Sequence, residues 1–477
     1  MGRLSPARIA ALEATSQVRK RDAFVRDILP SVLNKYTLRS SDRAFASLLS
    51  IGVVQMQGTL DAILDRAMNS PSDVKPNLRD ALRISVYEMF YLGRDLYAAI
   101  DQGVELAAYV APRTRGLANA VLRKASVIIA DILSEDAAKS VGAAALHFGF
   151  PEWLASNLSE WMGLSAACKF MEVSNEQPPV FVSINSLRIS DTKAKNKLID
   201  ASVEFETIDC ISGCLKLSNS SDIGMKTVID MINAGELIVS DAAAQMVAQK
   251  VVEYTKHSLL EIGAGRGTKT VLLQNFYNRK CGGAATKLEG LRSEALQPSL
   301  RPSNFALSSC GEECNKQIER FVCVDNVESK EALLYERVAA CGAHVSDAIT
   351  ADATNLKSAI GSECFDTVFI DTPCTGLGTL RRHPEIRWRL TQDSIHKAAE
   401  LDLRLLTEAS LHVKPMGNLV YATCTVTPNE NMDTIRAFLE SPQGESFHLL
   451  ENCGTFTTQL SSNGCDSHFC AVMVKNN

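Results

Sequence analysis

The sequence predicts a multidomain α plus α/β protein: an all-helical amino-terminal bundle, a small α+β module, and a carboxy-terminal α/β domain on a doubly wound parallel sheet. Three observations predict it. The 477 residues exceed what one ordinary core organises, so two or three domains are expected. Apolar residues recur three and four apart from Ser5 to about Ser126, then change to alternation near residue 178. From Ser258 onward, short apolar runs alternate with helical segments.

In chain order, "DRAFASLLSIGVVQMQGTLDAIL" and "NLRDALRISVYEMFYLG" carry the helical period, and breaks such as "MNSPSDVKP" separate the segments, which places a helical domain at 1–135. Residues 136–177 continue helical through "PEWLASNLSEWMG" as a connector. "PPVFVSINSLRIS" opens an α+β module assigned to 178–235, and "GELIVSDAAAQMVAQKVV" reads as the beginning of a helix. Within 236–477, "SLLEIG", "FVCVD", "FDTVFID" and "GNLVYAT" are the expected strands. The stretch 279–320, rich in Gly, Ser, Pro and Cys, interrupts them and is read as a surface insertion of low order, with no chemistry assigned.

With 46% apolar and 22% charged residues the chain is expected to be globular. No export leader and no apolar run of bilayer length is visible, so a cytoplasmic protein without membrane contact is expected, acting as a monomer. The 14 cysteines are then expected to remain thiols. Cys210 with Cys214 and Cys310 with Cys314 lack the spacing and second knuckle of a zinc site, so no metal is expected. The net charge of -6 disfavours a protein that simply coats nucleic acid. Residues 1–135 hold 18 Lys+Arg against 14 Asp+Glu, net +4, which leaves -10 for the rest. If nucleic acid binds, the amino-terminal part and local arginine clusters are expected to attract it.

"LLEIGAGRGTKT", residues 259–270, has the form of a strand, a glycine-rich turn and a helix start. Gly263, Gly265 and Gly267 let the backbone approach a ligand, and the helix start offers free amides. A phosphate loop would need a Gly-Lys-Ser/Thr ending after a longer spacing. Asp325, Asp352 and Asp371 end or follow the next strands. Carboxylates along one sheet edge suit ribose hydroxyls, an adenine amine and a cationic centre, all present in S-adenosylmethionine, although helix capping would also account for an acid at such a place.

Two cysteines stand at apparent strand ends: Cys374 in "FIDTPCTGLGTLRRHPEIRWR" and Cys424 in "LVYATCTVTPNENM". A buried apolar filler is the usual role of a free cysteine, but small turn residues flank each of these. Carbon 5 of cytosine is a poor nucleophile, and a thiolate bonded transiently to carbon 6 would activate it. A carboxylic acid near the ring nitrogen would stabilise the intermediate.

On these residues the chain resembles the Sun family of RNA (cytosine-5) methyltransferases, and within it the bacterial small-subunit ribosomal RNA branch, over nearly the whole length. "DTPCTGLGTLRRHPEI" matches the family's Asp-Ala-Pro-Cys-Ser-Gly and Arg-Arg-His-Pro-Asp-Ile run, with Thr372 in place of Ala, and "ATCTV" matches its Ala-Thr-Cys-Ser motif. The resemblance implies a Rossmann-like class I methyltransferase sheet, Cys424 as the nucleophile, Cys374 as the residue aiding product release, and Asp371 as the acid near both cytosine and donor. The family's Cys-Ala-Ala-Pro-Gly-Gly-Lys turn falls on Gly263, Ala264, Gly265, Arg266, Gly267, Thr268 and Lys269, keeping only Ala264, Gly267 and Lys269, while Asp325 and Asp352 match its later S-adenosylmethionine carboxylates. "AIDQGVELAAYVAPRTRGLANAVLRKAS" resembles the NusB antitermination factor, a fold associated with RNA binding, and Asn185 matches a family asparagine.

Arg381, Arg382, Arg387 and Arg389 follow Cys374 closely and are expected to hold RNA phosphates so that an unstacked cytosine reaches Cys424. Three other readings stay open: a transfer RNA substrate, DNA cytosine methylation with the Pro-Cys thiol as attacker, and a non-catalytic RNA-binding or antitermination factor.

Overall fold

Residues 4–93, 95–281, 316–451, 454–462 and 464–477 are described by the computed structural model. They form two units: one of residues 1–177 with 379–390, the other of residues 178–378 with 391–477.

The first unit is helical throughout. Its longest helices, Pro6–Arg21, Ser40–Gln55, Pro76–Tyr91, Leu96–Val110 and Arg115–Ser134, owe their starts to local chemistry: Pro76 opens one, and the Asp95 carboxylate accepts the amide of Ala98 at 2.9 Å to cap another. Leu49, Leu60, Ile63, Leu64, Leu82, Leu106 and Leu122 are fully buried and form the centre of its core, each contributing about 1.5–3 kcal/mol over an exposed position. The expected connector forms the helices Val141–Phe148, Glu152–Met162 and Leu164–Val173 of this same unit. Among the described residues no single helix is long and apolar enough to cross a membrane.

The second unit opens with strands β1 (Val180–Ile184), β2 (Phe205–Thr207), β3 (Cys214–Leu217) and β4 (Leu237–Val239). They form an antiparallel sheet in the order β2-β3-β1-β4, with helices Asp191–Asp200 and Lys226–Asn233 completing a β-α-β-β-α-β module. The module therefore runs to Val239 rather than 235. "GELIV" enters a strand because Val182, Ser183 and Ile184 offer it an open edge, and the helix begins later, at Ala242. Asn185 has a structural role: fully buried, it donates to the carbonyls of Gly235 at 2.7 Å and Cys341 at 2.8 Å. Arg279 pairs with Asp191 at 2.7 Å, so the module is bonded to the large domain through buried and half-buried polar groups.

The large sheet comprises β5 (Ser258–Ile262), β6 (Arg320–Asp325), β7 (Asp347–Thr350), β8 (Phe365–Asp371), β9 (Val413–Thr423), β10 (Phe447–Leu449), β11 (Thr455–Thr457) and β12 (Phe469–Lys475). Its order is β10-β12-β9-β8-β5-β6-β7, with β11 also pairing β12. The strands from β7 to β9 are parallel, as the alternation of strands and helices predicts, while β12 and β10 add an antiparallel edge. Leu259, Phe321, Phe369 and Val420 face one layer of helices, Leu260, Val322, Val368 and Leu419 the other. Both faces being buried explains the nearly continuous apolar runs. Chain order reverses between β5 and β8, and ligands of open α/β sheets bind at such a switch point. The expected insertion is narrower than 279–320: the preceding helix continues to Cys281, and Ile318 is buried with its amide on Gln274 Oε1 at 3.1 Å. Residues 282–315, including Cys310 and Cys314, lie outside the described residues.

Candidate active site

Strand register brings three loops together. Ile262 pairs with Ile370 and Asp371 with Ala422, so the glycine turn, the Pro-Cys loop and the second cysteine loop leave adjacent strand ends. Gly263 has φ 85° and a Cβ there would stand 2.2 Å from the Asp371 carbonyl oxygen, so only glycine lets β5 and β8 close up. Gly265 and Gly267 also have positive φ. The amide of Gly265 donates to Asp325 Oδ2 at 2.9 Å, and Lys330 pairs with the same carboxylate at 3.0 Å. Ala264 is buried, Arg266 exposed and Thr268 half-buried. Beneath the turn, the fully buried Glu261 accepts from Thr270 Oγ1 at 2.7 Å, and its Oε1 has no partner among the described residues. Burial pushes the Glu261 carboxyl up to about 7.

Asp352 is exposed and accepts the amide of Thr354 at 2.9 Å and its hydroxyl at 2.8 Å, bonds that lower its pKa. It thus caps the turn after β7. Asp371, by contrast, is bonded to the glycine segment: Lys269 Nζ donates to its Oδ2 at 2.6 Å. Burial, the largest single influence, would lower the Lys269 pKa, but the Asp371 charge, its hydrogen bond and the two cysteine sulfurs together outweigh it and the net direction is up.

The two sulfurs lie 3.3 Å apart, and both cysteines are half-buried free thiols. Cys374 follows a three-residue turn centred on Pro373 and closed by its amide on the Thr372 carbonyl at 2.8 Å. The Cys424 amide donates to Cys374 Sγ at 3.2 Å. The hydrogen bond with Cys424, followed by burial, pushes the Cys374 thiol well up. Gly378 closes the loop: its amide bonds the Cys424 carbonyl at 2.9 Å, and a Cβ there would stand 2.1 Å from the Ser467 carbonyl oxygen.

Below the sulfurs are polar groups that sequence reasoning did not single out. Asp402 and Glu430 are fully buried carboxylates. Asp402 accepts from the Thr372 hydroxyl and from Tyr421 OH, the latter at 3.0 Å, and burial raises it to about 7. Glu430 accepts from Thr375 and Thr427, and burial raises its pKa too. The only sequence signal was an acid and a run of threonines beside a cysteine, in "TCTVTPNENM".

The arginine arm needs correction. Residues 379–390 belong to the helical unit. Arg381 and Arg387 are fully buried, so neither guanidinium is offered to a phosphate. Arg387 lies 3.9 Å from the Phe150 ring centre and donates to Gln55 O at 3.1 Å and Asn175 Oδ1 at 2.9 Å. Arg389 pairs with Asp22 at 2.7 Å. Arg382 and Arg389 are half-buried.

Among the described residues no group of three His, Cys, Asp or Glu side chains is placed to hold a metal. Residues 311–467, which include both cysteines and Asp371, match the family model for the 16S rRNA methyltransferase RsmB/F. Residues 5–126 match the NusB family and 150–224 the ferredoxin-like domain of RsmF/B-like methyltransferases. The carboxy-terminal part of the chain is thus similar to the RsmB/F methyltransferases and its amino-terminal part to NusB. Curated relatives cover most of it: a probable ribosomal RNA small subunit methyltransferase B of Bacillus subtilis is 26% identical, spanning 90% of this chain and 87% of its own. A putative methyltransferase of Mycobacterium tuberculosis is also 26% identical, over 98% and 93%. Among solved structures, that of PH0851 has a TM-score of 0.73 at 19% identity and covers 100% of both chains. A methyltransferase homolog protein from Pyrococcus horikoshii has 0.54 at 18%, covering 71% of this chain and 99% of its own. The large sheet described above has the methyltransferase fold.

Proposed function

We propose that this protein transfers a methyl group from S-adenosylmethionine to carbon 5 of a cytidine in small-subunit ribosomal RNA, through a covalent bond between Cys424 and carbon 6. The observation that carries this reading is the sulfur pair, 3.3 Å apart beside the Lys269–Asp371 pair. The names of the curated relatives support the RNA class.

Gly263, Gly265, Gly267 and Asp325 would hold the donor. The open space over Gly265, where a Cβ would meet nothing nearer than 4.0 Å, and the unpartnered Glu261 oxygen beneath the turn fit a polar, cationic ligand. S-adenosylmethionine supplies an electrophilic methyl group. Cys424 attacks carbon 6 as a thiolate, which makes carbon 5 nucleophilic. Asp371 bonds the ring nitrogen side of the base and Lys269 fixes that carboxylate. After methylation, Cys374 as a thiolate takes the carbon 5 proton, the electrons of that carbon–hydrogen bond restore the ring double bond, and the Cys424 sulfur leaves carbon 6 as a thiolate. Arg382 and Arg389 remain the candidates for phosphate contacts, aided by the positive balance of the helical unit.

Replacing the cysteines separately tests this. Cys374→Ala should accumulate a covalent protein–RNA adduct, and Cys424→Ala should form none. An adduct only in the Cys424→Ala protein would move the nucleophile to Cys374. Bisulfite sequencing of ribosomal RNA from cells with and without the gene should locate the cytidine.

A further inference from the structure

Glu430 lies in the turn Asn429–Asp433 that follows the Cys424 loop, and its carboxylate bonds both cysteine loops. Its carboxylate accepts the Thr375 amide at 2.7 Å and the Thr375 hydroxyl at 2.6 Å, the Thr427 hydroxyl at 2.6 Å and the Thr425 hydroxyl at 3.4 Å. Thr375 directly follows Cys374 and Thr425 directly follows Cys424. The Glu430 backbone is fixed as well, because the Tyr421 hydroxyl, 3.0 Å from Asp402, stands 2.6 Å from the Glu430 carbonyl and can donate to it. A carboxylate is an acceptor only, so one buried anion gathers an amide and three hydroxyls from two loops that share no stretch of chain. Removing it would leave the Thr375 amide and the Thr427 hydroxyl buried without that acceptor, with the 2.8 Å contact of the Thr375 and Thr425 hydroxyls as the remaining bond between the loops.

We propose that Glu430 is a positioning residue that sets the spacing of the two reactive sulfurs. The proposal rests on the covalent reading above for its purpose: two sulfurs that address neighbouring ring carbons, one forming a bond at carbon 6 and the other meeting the proton at carbon 5, must stand a few ångströms apart. Their separation of 3.3 Å meets that need. Glu430 touches neither sulfur in any hydrogen bond of the described residues, so it acts through Thr375 and Thr425.

Two readouts test it, one independent of RNA and donor. In the first, the azo oxidant diamide takes up both thiol hydrogens, becoming the hydrazine as the sulfur–sulfur bond forms, and peptide mapping follows the Cys374–Cys424 disulfide. Glu430→Ala should slow that closure about tenfold, because disulfide formation demands a narrow sulfur geometry. In the second, single-turnover methylation should fall about a hundredfold with the donor KM little changed, the scale expected for an ångström of misplacement. Glu430→Gln, which keeps one acceptor oxygen, should recover both readouts in part. Disulfide closure at the parental rate in Glu430→Ala overturns the proposal. Should that variant fail to fold, the double variant Thr375→Val, Thr427→Val removes two donors at constant shape, and parental closure in it overturns the proposal equally. Slowed closure in a protein whose parent methylates no RNA would leave Glu430 its role and refute the proposed function instead.

Discussion

Lys269 Nζ stands 2.6 Å from Asp371 Oδ2, joining the helix start after the glycine turn to the strand end that leads to Cys374. The pair is mostly removed from solvent, with side-chain exposures of 17% and 25%. Removing one partner strands the other's charge in a site with little water to solvate it. Lys269→Met is expected to lower kcat about a hundredfold, the scale for losing one preorganised charged group. Asp371→Asn should do the same, and the double variant should cost no more than the worse single one, because residues acting as a unit are non-additive. Steady-state kinetics of the three proteins check this, and full additivity would refute it.

Gly263 shows how tightly the glycine turn is built. At φ 85° a side chain is strained, and its Cβ would press on the Asp371 carbonyl oxygen at 2.2 Å. Gly263→Ala is expected to cost about 1–2 kcal/mol from backbone conformation alone, with more from the overlap. The strands would part by moving Asp371, so calorimetric affinity for S-adenosylmethionine should fall more than tenfold with a lowered thermal midpoint. Unchanged affinity would mean that the turn does not hold the donor.

Strand ends, glycine turn and both cysteines were legible in the sequence because each sits in a short run whose pattern is local. "LLEIGAGRG" announces strand and turn within nine residues. Glu430 was not legible, since its partner Thr375 lies 55 residues away and an acid in a polar loop ordinarily faces water. The arginine arm was misread for the same reason: four cations in nine residues suggest a solvated, ligand-binding face, and only tertiary packing buries Arg381 and Arg387. Asp352 was legible as a strand-end acid suited to donor contact or to capping, and its bonds to Thr354 show the cap.

Arg387 supports the helical unit and its loss should be felt there. Its Nε and Nη2 have no partner among the described residues, and burial brings its pKa down to about 9. Arg387→Ala empties a packed site over Phe150 and unpairs Gln55 O, a change expected to cost about 2–4 kcal/mol. Arg387→Met, similar in volume and without charge, should cost less. In a salt titration of RNA affinity, both variants should keep the parental slope of log K against log salt. A slope reduced by about one would instead show that this guanidinium contacts a phosphate.

Asp402 gives the protein a pH dependence of definite sign. Burial raises its folded-state pKa to about 7, above the usual value for an unfolded aspartate, so the folded protein binds the extra proton between roughly pH 4 and 7. The stability contributed by that proton is complete below the unfolded pKa and is lost as pH rises through the folded one. A raised pKa of this size corresponds to a decline on the order of 3–4 kcal/mol from pH 4 to 8. Asp402→Asn keeps one acceptor oxygen, for the Thr372 or the Tyr421 hydroxyl, and cannot ionise. The parental thermal midpoint should fall between pH 5 and 8, and the fall should be shallower in Asp402→Asn, with the remainder coming from Glu261, which burial also raises to about 7. Identical pH profiles in the two proteins would show that Asp402 is ionised across the whole range, and the Thr372–Asp402–Tyr421 cluster would then carry a permanent buried charge.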